Sequence, residues 1–168
     1  QYMVQLNRRA EWERPKHFEA NTRKPHVNVV PVGPENIVDL NGEWDFHWVE
    51  NLNEAPTSFD DLKWDKVKVP HCWEADGYGN PIYVGAGYPF VPDPPRVPVK
   101  ENHVGTYRTT FKVPKDWTGE KYIVFDGVCS GFYLYLNGKE VGYSQGSRTQ
   151  VEFNITDCLG EENEMIVQ

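Results

Sequence analysis

The chain has 168 residues, 39% hydrophobic and 14% aromatic with six Trp, and a formal charge of −8. That length carries one domain with its own core, and the aromatic content excludes a disordered chain. The acidic balance and the lack of a basic patch exclude a nucleic-acid partner, which would need concentrated Lys and Arg to neutralise phosphates.

No apolar run approaches 18 residues and no leader-like segment is visible, so a membrane partner is not expected and the compartment stays open. Cys72, Cys129 and Cys158 are odd in number and lack C-x-x-C spacing, which predicts buried free thiols rather than a disulfide framework or a zinc site. Abundant aromatics suit a β-sheet core and equally a surface that packs on the C–H faces of sugar rings.

Residues 1–39 scatter Pro15, Pro25, Pro31 and Pro34 among charges without a period of 2 or 3.6, and they read as an extended arm over the domain. From Glu43 to Val49 the alternation is clean. Trp44, Phe46 and Trp48 share one face and Glu43, Asp45 and His47 the other, as in a half-buried antiparallel strand opened by Asn41-Gly42. Lys66–Val69 repeats the pattern until Pro70.

Between Glu74 and His103 lie six prolines and Gly77, Gly79, Gly85 and Gly87, set around Tyr78, Tyr83, Tyr88 and Phe90. No ordinary element fits there. Loops of this size are either disordered or functional, and the tyrosines and rigid prolines favour an ordered, shaped loop.

Tyr107, Thr109, Phe111 and Val113 then face one way and Arg108, Thr110 and Lys112 the other. Lys121–Asp126 is apolar on both faces, as expected of a central strand of a sandwich. Phe132, Leu134 and Leu136 lead into Asn137-Gly138, a favoured type I′ pair, and Val141 and Tyr143 carry the return strand. Val151, Phe153 and Ile155 form another. Met165–Val167 reads as a strand just begun, as if the domain over residues 40–168 were cut there, and a start at Gln1 fits a trimmed product. The predicted class is an all-β sandwich with jelly-roll or Greek-key connections.

The usual catalytic signatures are missing. There is no G-x-S-x-G elbow, no H-E-x-x-H, no phosphate loop and no dinucleotide fingerprint. Glu74, Asp76, Asp93 and Glu161-Glu162-Glu164 are carboxylates without a pairing that sequence can assign. Asn154-Ile155-Thr156 matches a glycosylation pattern but lies on a predicted strand. From the residues alone a binding module fits better than a complete enzyme.

Several blocks, in order, closely resemble the N-terminal domain of glycoside hydrolase family 2: Leu40–Phe46, Val69–Trp73, Gly77–Tyr83 with Tyr88-Pro89-Phe90, Gly105–Arg108, Phe125–Val128, Leu136–Gly138 and Val141–Ser144. The P-I-Y…Y-P pattern and Asp93-Pro94-Pro95 resemble its β-galactosidase branch, and Trp12–Pro15 with Asn21 and Arg23 resemble its leader segment. The resemblance implies a jelly-roll (galactose-binding-like) sugar-binding domain at the front of a retaining hydrolase of β-galactosides. Its catalytic glutamates and its divalent metal (Mg) ligands would belong to a downstream TIM-barrel partner, so this chain would hold neither catalytic nor metal residues and would be inactive alone.

What the domain would lend to the galactose pocket is the segment Tyr83, Gly85, Ala86 and Tyr88. Relatives often place an Asn amide on a sugar hydroxyl two residues after the Tyr that matches Tyr83. Gly85 stands there instead, so only backbone groups could make that contact. Two other readings remain open: a free-standing lectin-like module centred on Tyr78, Tyr83 or Tyr88, and an interaction surface in which the arm from Gln1 to Asn36 drives homo-oligomer formation.

Overall fold

The structure, a computed structural model, describes residues 11–26, 33–82 and 87–168. Its strands are β1 (Glu19–Ala20), β2 (Gly42–Val49), β3 (Asp65–Val69), β4 (Val104–Phe111), β5 (Tyr122–Phe125), β6 (Gly131–Leu136), β7 (Lys139–Gln145), β8 (Val151–Asn154) and β9 (Asn163–Val167). The helical pieces among the described residues are short 3₁₀ turns. Seven strands make one sheet in the order β1-β7-β6-β9-β4-β2-β3, and β5 and β8 make a second; all pairings are antiparallel. This is the expected all-β sandwich.

Alternation explains how the large sheet is filled. Trp44 and Phe46 of β2, Phe132, Leu134 and Leu136 of β6, and Met165 and Val167 of β9 are all buried. Most of them pack with Ile123, Val151, Phe153 and Ile155 from the smaller sheet and its flank in the main core. The opposite face carries Tyr135 and Ile166, which pack with Phe59, Leu62, Trp64 and Tyr133 in a smaller cluster. On that side Asp45 also takes Arg108 of β4 at 2.6 Å and Lys66 of β3 at 2.7 Å. These are directly registered cross-strand pairs, and the Arg108 guanidinium lies 4.3 Å over the Trp64 ring.

The Asn137-Gly138 turn has φ of 48° and 84°, as type I′ requires. The Asn137 amide also donates to Cys158 O at 2.9 Å and to Asn163 Oδ1 at 2.8 Å, while its oxygen accepts from Glu164 N at 2.9 Å. The hairpin is thus tied to the start of β9. That last strand lies between β6 and β4, in the interior of the large sheet.

Val141 and Tyr143 lie on the return strand β7 as expected; a bulge opposite Leu134/Tyr135 inserts Val141, which turns into the main core, whereas the Tyr143 ring meets Tyr133 at 4.9 Å. Two expectations need correction. β5 is not a central strand but half of a two-stranded sheet, with Val124 48% exposed and Tyr122 capped by Arg23 at 4.9 Å; Ile123 alone is fully inward. The thiols are free, but Cys72 and Cys129 are exposed, since both sit on connections rather than strands.

The described part of residues 1–39 closes the edge of the sandwich. Ala20 pairs with Tyr143 of β7, Thr22 bridges to Phe153 of β8, and Arg23 N donates to Glu152 O at 2.8 Å. Gly142 permits this approach: a Cβ there would stand 2.2 Å from Ala20 O and 2.7 Å from the Phe153 ring. Trp12 meets Tyr133 edge-on and His17 stacks on Tyr143.

Candidate functional site

The connection from β3 to β4 divides into a root gripped by the sheet and a crown that faces outward. The root begins where β5 and β8 stop covering the inner face of the large sheet. Trp44 enters the main core, but Phe46 and Trp48, next along the same face of β2, meet the connection instead. Trp73 stacks on Phe46 at 6.3 Å, Tyr78 meets it edge-on at 4.9 Å, and His71 does so at 5.6 Å. The amphipathic face of one strand therefore builds both the core and the loop seat.

Backbone turns hold the root. Ala75, Asp76, Gly77 and Tyr78 N–H groups donate back to Cys72, Trp73, Glu74 and Trp73 carbonyls at 3.0–3.3 Å. Gly79 has φ of 73°, and a Cβ there would lie 3.0 Å from the His103 ring and 3.3 Å from Trp48, so both space and backbone call for glycine. Gly105, in β4, lies under the Trp73 ring, where a Cβ would stand 2.6 Å away.

The titratable side chains of the root are paired, whereas the buried Trp48 and Trp73 indole N–H groups have no hydrogen-bond partner among the described residues. His71 Nδ1 bonds the Asp76 carboxylate and Nε2 bonds the Tyr107 hydroxyl at 2.9 Å. Burial, then the nearby Glu74 and Asp76 carboxylates, push the Tyr107 phenol well above its ordinary pKa. The Cys72 thiol donates to Glu74 at 3.0 Å, which raises the thiol. Burial opposes ionisation of Glu74, but the thiol hydrogen bond and others outweigh it and hold that carboxyl low. Tyr78 donates to Asp65 at 3.1 Å.

The descending limb is tied at three points: Leu52 N donates to Val99 O at 2.9 Å, Glu101 N to Asn51 Oδ1 at 3.1 Å, and Val97 N to Glu13 of the arm at 3.3 Å. Between root and limb, Ile82, Tyr88, Phe90, Val91 and Val99 stand exposed, Tyr88 at 73% and Val91 at 90%. Five large apolar side chains raised on one anchored loop form an adhesive crown.

Of the expected pocket residues, Tyr83, Gly85 and Ala86 lie outside the described residues. Tyr88 is on the crown with its ring open to a partner. Tyr78 is not a surface ring but part of the root. Four of the six carboxylates singled out in sequence are spent on neighbours: Glu74 on Cys72, Asp76 on His71, Asp93 on Arg96 at 2.9 Å and Glu162 on Lys112 at 2.6 Å. Among the described residues no three His, Cys, Asp or Glu side chains converge as metal ligands.

An open depression of about 320 Å³ lies on the far edge of the sandwich, beside Arg23, His26, Arg148 and Glu152. Glu152 takes Arg23 at 3.0 Å and His26 at 3.3 Å, which consumes much of its charge. Sequence reading missed His71, Gly105 and Tyr107. The signal available for them was weak: a Gly at the start of a strand, and a His five residues before an Asp.

Comparison with known proteins agrees with this geometry. A family profile described as "Glycosyl hydrolases family 2, sugar binding domain" matches residues 37–168. A β-galactosidase of Priestia megaterium is 36% identical over 99% of this chain and 18% of its own length, and one of Vibrio cholerae is 37% identical over 94% and 17%. The crystal structure of a β-D-mannosidase from Dictyoglomus thermophilum superposes with a TM-score of 0.53 at 28% identity, over 77% of this chain and 15% of that one. The chain thus spans less than a fifth of each of these relatives. With matching blocks along the strands and the loop, the chain belongs to glycoside hydrolase family 2, as its sugar-binding domain.

Proposed function

We propose that this chain is the N-terminal domain of a retaining β-galactosidase-like hydrolase, docked on a catalytic TIM barrel and lending the crown of the β3–β4 loop to the rim of the substrate pocket. The observation that carries the reading is the contrast within that loop: a root held by three strands beneath an exposed apolar crown of Ile82, Tyr88, Phe90, Val91 and Val99. An isolated domain gains nothing from raising such a surface into water, whereas a neighbouring domain would bury it.

Retention needs two carboxyl groups about 5 Å apart flanking the scissile bond. The paired carboxylates of this chain are engaged in the fold, so the acid/base, the nucleophile and the divalent metal are assigned to the barrel. The crown's part is to close one wall, exclude water and offer the Tyr88 ring to the C–H face of a pyranose. With Gly85 in place of an Asn amide, discrimination at the matching hydroxyl passes to backbone groups or to the barrel.

The test compares the full-length protein with the domain alone on aryl β-galactoside, β-mannoside and β-glucuronide. Turnover of the galactoside by the full-length protein with retained anomeric configuration, and none by the domain, is expected. Hydrolysis by the domain alone, or a full-length protein inert on every β-glycoside, overturns the reading. Titrating galactose and lactose into the domain should give no detectable binding, and millimolar affinity lost in Tyr88→Ala would favour the lectin-like alternative.

A further inference from the structure

We infer that Asp76, His71 and Tyr107 are positioning residues, a carboxylate–imidazole–phenol chain that sets how the β3–β4 loop leaves the sheet and thereby how tightly the crown holds the glycoside. The inference rests on the reading above that the crown borders a substrate pocket.

The chain of contacts starts at a rigid point. Tyr107 lies in β4, registered opposite Phe46 of β2 on one side and Val167 of β9 on the other, and its ring packs on Phe46 at 4.6 Å. Its hydroxyl meets His71 Nε2 at 2.9 Å. The imidazole cannot swing away, because it stands edge-on to Phe46 and to Tyr107, both at 5.6 Å, with only 9% of its side chain exposed.

The far side of the ring, Nδ1, faces the Asp76 carboxylate. An ionised carboxylate beside Nδ1 requires N–H there, which leaves a lone pair on Nε2 to accept the Tyr107 O–H. The opposite tautomer would set a lone pair against the carboxylate. With a neutral imidazole the chain has a direction: Tyr107 donates to His71, and His71 donates to Asp76; an imidazolium keeps the Asp76 bond and reverses only the one to Tyr107.

Asp76 is where the sheet's order passes into the loop. Its side chain is 44% exposed, and the next residues, Gly77 at φ 92° and Gly79 at φ 73°, are the backbone pivots before the crown. Two left-handed glycines close together would let the crown adopt several headings if nothing fixed the segment before them. The chain supplies that fixed point through groups 36 residues apart in sequence. No proton leaves it during catalysis, and the effect is on geometry alone.

The test uses the full-length protein and its best aryl glycoside. Tyr107→Phe keeps the ring and removes the O–H; Asp76→Ala removes the acceptor, and Asp76→Asn keeps an acceptor oxygen. For a lost hydrogen bond, KM should rise about fivefold in Tyr107→Phe and Asp76→Ala with kcat within about twofold of wild type. Asp76→Asn should restore KM to within about twofold. In a Tyr88→Ala background, Tyr107→Phe should shift KM by less than about twofold, since the residue it acts through is gone.

A lowered melting temperature with unchanged KM in both single variants overturns the inference and leaves a stability role only. So does a full fivefold effect in the Tyr88→Ala background. A wild-type full-length protein without glycosidase activity counts instead against the function proposed above, and the near-UV circular dichroism of Asp76→Ala, which removes no aromatic ring, then decides the positioning role: a changed spectrum restored in Asp76→Asn supports it, and an unchanged one overturns it.

Discussion

Gly105→Ala probes the loop root through one methyl group. Gly105 does not adopt a left-handed φ, so the substitution meets no backbone strain, only its neighbours: Trp73 at 2.6 and 2.9 Å and Phe46 at 2.9 Å from the new Cβ. Ordinary carbon contacts need 3.5–4.0 Å, so Trp73 must retreat by about 1 Å. Phe46 cannot yield in its place, being fully buried among Tyr107, Tyr78 and His71. Overpacking of this kind costs about 1–3 kcal/mol, or about 2–10 °C in melting temperature for a domain of this size. Thermal melts read the loss, and near-UV circular dichroism should lose part of its tryptophan signal as Trp73 leaves its stack. The informative control is Gly77→Ala, where φ is 92° but nothing lies within 4 Å; it should destabilise without altering the Trp73 signature. A Gly105→Ala protein with unchanged melting temperature and tryptophan spectrum would refute the packing argument.

Three other outcomes follow from the structure. Burial opposes the charge of Asp45, but hydrogen bonds from Lys66 and Arg108 outweigh it and hold the carboxyl below its ordinary value. The folded form therefore binds its proton less readily than the unfolded chain, and the contribution is present above about pH 4 and lost as pH falls through the folded value; Asp45→Asn should flatten the acid limb of melting temperature against pH. Burial raises the phenols of Tyr107, Tyr133, Tyr135 and Tyr143, the last to about 12. Their stabilisation is complete below about pH 10 and lost above it, so phenolate absorbance should rise in two steps, the upper coinciding with loss of tertiary circular dichroism. Asn137→Ala should cost about 2–4 kcal/mol by denaturant melts, from a left-handed residue and three side-chain hydrogen bonds, and Asn137→Gly visibly less because only the hydrogen bonds are lost.

What could be read from the sequence was whatever depended on near neighbours in the chain. The alternation of β2 and the Asn137-Gly138 turn are local patterns, and the structure carries both. The edge position of β5 was illegible because an apolar run records burial of its faces, not the number of neighbours; Val124 is apolar and half exposed. The bulge at Val141 leaves no mark in composition, yet it reverses which face Tyr143 occupies. Tyrosines in a loop look alike in sequence, and Tyr78 is set apart from Tyr88 only once Asp65 and Phe46 are placed beside it. The His71–Tyr107 pair and the Gly105–Trp73 contact join β4 to residues more than thirty positions earlier, which no window along the chain can see.

The order of the long loop has a physical source that bears on its use. Fixing each backbone residue costs about 1–2 kcal/mol, and the described residues between 70 and 103 have no named strand or helix to offset it. Prolines lower that cost by narrowing the unfolded ensemble, since each already has φ fixed. The remainder must come from the root: the aromatic contacts on Phe46, the His71 and Tyr78 hydrogen bonds, and the ties to Asn51, Leu52 and Glu13. None comes from the crown, whose large apolar side chains remain in water. A surface that covered the crown would therefore collect the burial of Tyr88, Phe90 and Val91 without first having to order them, which is the condition under which apolar area converts most fully into affinity. Glu13→Ala, which removes the tie to Val97 and no crown residue, should then weaken docking by loosening the loop.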